Sequence, residues 1–127
     1  MDTNEHKIIY KELSYNIIAS ALKVHNILGA GFLEKVYENA LIIQFKKAGI
    51  KAEQQVSLKV NFEGEIVGDY CADIVVDNKI ILELKCAESI NSIHKAQIIN
   101  YLKATGMKLG IIINFAKPKL EYKRIVL

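Results

Sequence analysis

The stretch Asp69-Tyr70-Cys71-Ala72-Asp73-Ile74-Val75-Val76-Asp77-Asn78-Lys79-Ile80-Ile81-Leu82-Glu83-Leu84-Lys85 decides how this chain is read. Residues 69–76 and 79–85 read as two strands, and Asp77-Asn78 between them tolerate positive φ, so the segment predicts a hairpin. Side chains alternate along a strand, which predicts one face shared by Cys71, Asp73 and Val75 and another shared by Ile81, Glu83 and Lys85. Two carboxylates and an ammonium then fall on adjacent strands within an apolar run. Burying them costs several kcal/mol per charge unless each finds a partner or a metal. One account is a structural ion pair, Lys85 with Glu83 or with Asp73. The other is a site for a hard cation such as Mg²⁺ or Mn²⁺, which takes carboxylate, carbonyl and water oxygens. Lys85 beside such a site could orient a water nucleophile or stabilise a phosphorane-like transition state.

The flanking sequence supplies the rest of a single domain. Ile8, Ile9, Leu13, Ile17, Ile18, Ala21, Leu22 and Leu28 recur at helical spacing and predict a first helix over about residues 5–28, stopped by Gly29-Ala30-Gly31. A second helix over about 33–49 is expected to bury Val36, Ala40, Leu41, Ile43 and Phe45 and to end at Gly49. Val56, Leu58, Val60 and Phe62 alternate as a strand, Glu63-Gly64 turns, and the hairpin completes a three-stranded meander. A third helix over about 93–105 is expected to turn Ile93, Ala96, Ile99 and Leu102 to the sheet, followed by a buried strand at 108–115 and an edge strand at 120–126. The fold class is α/β (α+β): two N-terminal helices, a meander, a helix, and one or two further strands in a mixed sheet.

With 127 residues, 51% hydrophobic and 24% charged, the composition is that of one globular domain with a single sizeable core. No apolar run reaches a membrane span and the N-terminus is polar, so the expectation is a cytoplasmic protein without membrane association. Cys71 and Cys86, the only cysteines, are expected as small core residues, and their spacing argues against a disulfide framework or a zinc site. The net charge of +3 hides an asymmetry: residues 79–127 hold nine Lys/Arg against three Asp/Glu. Lys95, Lys103, Lys108, Lys117, Lys119, Lys123 and Arg124 could line a phosphate-binding surface or form a solvated face. One arginine supplies little bidentate base readout, so nucleic-acid contact would fall mainly on the backbone.

A strand-borne Asp73, Glu83-x-Lys85 on the next strand, then a helix and a strand resembles the PD-(D/E)XK nuclease superfamily, with Ala72 where a proline often precedes the Asp. Gln97 and Tyr101 resemble the Q-x-x-x-Y element of its RecB-like branch and sit one turn apart. Upstream, His25-Asn26-Ile27-Leu28-Gly29-Ala30-Gly31-Phe32-Leu33-Glu34-Lys35-Val36-Tyr37-Glu38 is similar to the signature of the GxxExxY protein family, through Gly31, Glu34 and Tyr37. That likeness continues through His94-Lys95-Ala96-Gln97, Asn100 to Gly106, and Asn114-Phe115.

The resemblance implies a restriction-endonuclease-like core and a metal-dependent nuclease acting on nucleic acid, most directly DNA. It implies Asp73, Glu83 and the Leu84 carbonyl as ligands of Mg²⁺ or Mn²⁺, Lys85 as the catalytic lysine, and Glu34 and Gln97 as accessory catalytic residues. Tyr101, His94 and Tyr37 become candidate substrate contacts. Tyr37 and Glu38 could also brace the site. Plainer accounts stand beside these: Glu34 in a helix first turn is favourable by about 0.3–1 kcal/mol regardless, Tyr37 could be a core aromatic with a bonded hydroxyl, and His94 could lie on a solvated face. His25 near a helix end reads as structural. Gly29 and Gly31 suit a tight helix–helix turn, since no strand precedes them and no Gly-Lys-Ser/Thr follows. The rival to a nuclease is a non-catalytic nucleic-acid-binding or assembly module that keeps the fold. A homodimer is expected from the resemblance alone.

Overall fold

The expected hairpin forms, with Asp77 and Asn78 both at positive φ (51° and 55°), but its loop also takes in Lys79, so the second strand starts at Ile80 opposite Val76. The two strands run antiparallel at the centre of the molecule. The structure, a computed structural model, describes residues 8–127. Its elements in chain order are α1 (Lys11–Leu28), α2 (Glu34–Lys47), β1 (Ala52–Phe62), β2 (Glu65–Val76), β3 (Ile80–Lys85), α3 (Ser92–Thr105), β4 (Leu109–Asn114) and β5 (Glu121–Val126). The sheet runs β1-β2-β3-β4-β5. Only β3 and β4 are parallel, joined by the α3 crossover, so the sheet is mixed and the class is α+β as expected.

Helices cover both faces. Ile17, Ala21 and Val24 of α1 and Tyr37, Leu41 and Phe45 of α2 pack on Ile74, Val76, Ile80, Leu82 and Leu84. On the other face Ile98, Tyr101 and Leu102 of α3 pack on Leu58, Ala72, Val75, Ile81 and Ile112. Strands β3 and β4, covered on both sides, are almost wholly buried, which explains their near-continuous apolar sequence. Gly110 lets α3 come close: a Cβ there would lie 2.5 Å from Ile98 Cδ1.

The helix boundaries and faces differ from the periodicity. Residues 5–7 of the expected first helix lie outside the described residues, and α1 begins only after Tyr10, whose left-handed φ of 49° cannot continue into a helical turn. In α2 Val36 and Ile43 are exposed, and the buried stripe is Tyr37, Glu38, Leu41 and Phe45. In α3 Ile93 is 76% exposed while Ile98 and Tyr101 are buried, because the sheet-facing stripe is rotated from the one expected. The cysteines are free but do not occupy the core: Cys71 is exposed and Cys86 half-buried. Cys71 lies on the part of β2 that extends beyond its pairing with β3.

Candidate functional site

Strands β2 and β3 pair over only three residues each, ending at Ile74 opposite Leu82. Asp73 and Glu83 are next in register, and there side chains replace the backbone ladder. The Asp73 N–H donates to Glu83 Oε2 (3.0 Å), and the Leu84 N–H donates to Asp73 Oδ2 (2.7 Å). Each carboxylate is thereby anchored through one oxygen.

The other edge of β2 is interrupted at the same place. The β1–β2 register passes from Gln54 opposite Ile74 to Val56 opposite Ala72, leaving Gln55, with φ 52°, opposite Asp73. Side-chain alternation breaks here. Ala72 and Val75 pack on the α3 side and Ile74 and Val76 on the α1/α2 side. The expectation that Cys71, Asp73 and Val75 share a face therefore fails, because a strict period of two does not survive the irregularity. Asp73 sits at the break.

Burial raises the Glu83 carboxyl to about 7, with the Asp73 charge adding to the shift and the Asp73 N–H and Lys85 opposing it. Asp73 is also raised, by burial first and then by Glu38 and Glu34, against the Leu84 N–H and Lys85. These are the shifts of desolvated, mutually repelling acids short of positive charge. Lys85 is half-buried, and among the described residues no ion pair within 4.0 Å includes it. The structural ion-pair account therefore lacks its contact.

Helix α2 supplies two further acids. Glu34, its first residue, accepts the Cys86 N–H (3.0 Å) and so ties the helix start to the chain just beyond Lys85. Glu38, one turn on, is buried and held by Gln54 Nε2 (2.6 Å), Gln55 Nε2 (2.9 Å) and Lys35 Nζ (3.1 Å). The i, i+4 spacing of Glu34 and Glu38 was a signal that both acids share one side of the helix. Nothing in the sequence marks Gln55 as left-handed.

Tyr37, a candidate substrate contact, is placed as a core aromatic. It is fully buried, its hydroxyl donates to Gly29 O and accepts from the Phe32 N–H, and its ring stacks on Phe115 at 4.5 Å. It braces the Gly29–Phe32 turn. His25 is structural as expected, its Nε2 2.9 Å from Lys117 O. On α3 the expected stripe divides. Gln97 and Tyr101 line a cleft together, whereas His94 closes a capping box: its N–H donates to Asn91 Oδ1 and its Nδ1 accepts the Asn91 N–H. The Tyr101 hydroxyl is pushed up to about 12 by burial and by the charges of Glu83 and Asp73.

The segment leaving β3 is pinned by Asn114. Its side chain donates to Ala87 O (2.8 Å) and accepts the Ala87 N–H, while Glu121 accepts the Ile90 N–H. Of the basic C-terminal residues, Arg124 is tied to Ser14 Oγ and Ile9 O, and Lys117 pairs with Glu121 at 3.9 Å.

Among the described residues no group of three or more His, Cys, Asp or Glu side chains is arranged to hold a metal ion. Two anchored carboxylates suit a cation that keeps most of its own water, as Mg²⁺ does, and not a zinc ion requiring several nitrogen or sulfur ligands. No helix among the described residues is long and apolar enough to cross a membrane.

A family model described as the PD-(D/E)XK nuclease superfamily matches residues 11–125. No curated protein sequence matches significantly. Among solved structures, the crystal structure of SSO0001 is similar with a TM-score of 0.57 and 23% identity, over 73% of this chain and 50% of that one. At that identity the likeness concerns the fold, and the chain spans about half of the matched structure.

Proposed function

The chain belongs to the PD-(D/E)XK nuclease superfamily, and from that premise we propose that it hydrolyses phosphodiester bonds in nucleic acid, most directly DNA, at the Asp73–Glu83–Lys85 centre. Nucleases of this superfamily generally use divalent metals. The observation that carries the reading is the reciprocal clamp in which Asp73 and Glu83 each trade one oxygen for a backbone N–H of the opposite strand. Holding two desolvated acids side by side, with no cation of the described residues paired to them, is costly for folding and useful for binding one.

Asp73, Glu83 and the Leu84 carbonyl would hold the ion, Mg²⁺ or Mn²⁺. Such an ion, when bound, polarises phosphoryl oxygens and generates a nucleophile from water near neutral pH. Lys85, which no ion pair among the described residues engages, would position that water or meet the negative charge gathering on the phosphate. Glu34 and Gln97 would serve as accessory groups, Glu34 fixing the chain after Lys85 through Cys86. Tyr101 bounds the centre on the α3 side and contacts the substrate. His94 acts through the start of α3, and Tyr37 through the turn it braces.

The test is cleavage of labelled single-stranded and duplex DNA and RNA with EDTA, Mg²⁺ or Mn²⁺. Metal-dependent cleavage lost in Asp73→Ala and Lys85→Ala is the expected result; strong cleavage by either purified variant sinks the proposal. Salt-sensitive DNA binding with no calorimetric metal binding would instead favour the non-catalytic module.

A further inference from the structure

On the α3 side of the acid pair a cleft of about 710 Å³ opens between α3 and the β1–β2 hairpin. Its walls include Asn61 and Tyr70 from the hairpin and Gln97, Asn100, Tyr101 and Lys103 from α3. The volume suits a group of small-ligand size. The rings of Tyr70 and Tyr101 lie 5.4 Å apart at 47°, so the two walls meet through aromatic contact. Tyr101 is buried, whereas Tyr70 remains 49% exposed and leaves ring surface open to an occupant.

The chemistry of this lining is selective. Asn61, Gln97 and Asn100 are exposed, and each carboxamide carries both donors and an acceptor, the complement of a nucleobase edge. Lys103 adds a cation able to meet a phosphate. A base inside a duplex has both faces stacked and its Watson–Crick edge paired, so it offers nothing to this arrangement. An unpaired base offers a free face and a free edge. Tyr101 lines the cleft and packs in one cluster with Ala72, the residue before Asp73, so the cleft lies on the side of the sheet where Ala72 leads into the acid pair.

We propose that the cleft takes an unpaired nucleobase of a single-stranded segment adjoining the scissile phosphate, with Tyr70 as the stacking platform and Asn61, Gln97 and Asn100 at the base edge. This rests on reading the acid pair as a nucleic-acid centre, and it narrows the substrate to single strands or frayed ends.

The full chain in EDTA, where cleavage is absent, is mixed with a short oligodeoxynucleotide carrying one 2-aminopurine, and with the same sequence as RNA. Stacking on Tyr70 quenches the probe, and anisotropy reports affinity. Tyr70→Leu, which keeps apolar bulk without a π face, weakens single-strand binding about 5- to 100-fold and abolishes quenching, while Tyr70→Phe retains both. Circular dichroism checks that the variants fold. Quenching of either oligonucleotide that depends on Tyr70 supports the proposal, and the tighter binder identifies DNA or RNA as the source. Equal affinity of Tyr70→Leu and wild type, no quenching, or duplex binding with the same Tyr70 dependence overturns it. The two proposals fail separately. Quenched binding without cleavage in Mg²⁺ or Mn²⁺ leaves the cleft standing and removes the nuclease. Metal-dependent cleavage indifferent to Tyr70→Leu does the reverse.

Discussion

Glu83→Gln should stabilise the metal-free protein above neutral pH, although it removes a residue of the proposed active centre. The Glu83 carboxyl rises from 4.5 to about 7 on folding, chiefly through burial. Between those pH values the folded protein holds its proton more tightly than the unfolded chain, so stability falls as pH rises through the window and stays low above it. At about 1.4 kcal/mol per pKa unit the full penalty is about 3 kcal/mol. Glutamine is neutral at every pH and keeps an oxygen to accept the Asp73 N–H. The variant should match wild type near pH 4 and exceed it by about 3 kcal/mol at pH 8, roughly 10 °C in Tm. Asp73 titrates with the same sign in both proteins, whereas Asp69 and Glu121, held low by hydrogen bonds, act oppositely, so the difference between the two proteins is the quantity to measure. Urea unfolding in EDTA across this range reads it directly. A variant less stable than wild type at pH 8 would refute the reasoning, for it would mean that Lys85 already pairs with an ionised Glu83. Excess Mg²⁺ should narrow or reverse the gap by stabilising wild type alone.

Three other outcomes follow from particular contacts. Because binding a divalent ion must displace the Glu83 proton, the apparent Mg²⁺ or Mn²⁺ affinity measured by calorimetry should climb up to tenfold per pH unit below about 7 and level off above it. Gly110→Ala should destabilise by about 1–3 kcal/mol, since the new methyl meets Ile98, and adding Ile98→Val should recover part of that loss in denaturant melts. Tyr37→Phe keeps the ring stacked on Phe115 but strips the bonds to Gly29 and Phe32, so unfolding should cost about 1–3 kcal/mol less while the metal affinity stays close to wild type.

The order of elements was legible because its signals are local: Asp77-Asn78 at positive φ, Gly49 and Gly106 after helix ends, and apolar runs long enough for buried strands. That Asp73 and Glu83 lie on adjacent strands was legible for the same reason, but their register was not. A two-residue turn at Asp77-Asn78 would set Asp73 opposite Leu82, whereas the loop also takes in Lys79, so Val76 pairs with Ile80 and Asp73 comes opposite Glu83. What periodicity misjudged was which helix stripe meets the sheet. Glu38 is buried in place of Val36 because Gln54 and Gln55, more than a dozen residues away, satisfy its carboxylate. Charge-based reading fails wherever a distant amide supplies the partner. The exposure of Cys71 and the inward turn of Tyr101 likewise depend on where β3 ends and α3 lies, which no local pattern encodes.

Gln55 ties these irregularities together. Its left-handed backbone interrupts β1 opposite Asp73, one residue beyond the place where β3 also ceases to pair with β2. Asp73 is thereby outside the regular ladder on both sides, and its N–H is free to bind Glu83. A left-handed conformation costs a residue with a Cβ about 1–2 kcal/mol, and it persists only where the surroundings impose it. Here the Gln55 amide donates to Glu38 Oε1 while its oxygen accepts the Cys71 thiol. Replacing Gln55 by Ala or by Gly removes those bonds equally, but only Gly relieves the backbone. Elsewhere in a strand Gly is worse than Ala by roughly 0.5–1 kcal/mol. At this position the order should invert, with Gln55→Gly more stable than Gln55→Ala by about 1 kcal/mol in urea unfolding. Equal stabilities, or the usual order, would show that residue 55 follows the regular strand, and the account of how Asp73 is released to build the acid pair would fall with it.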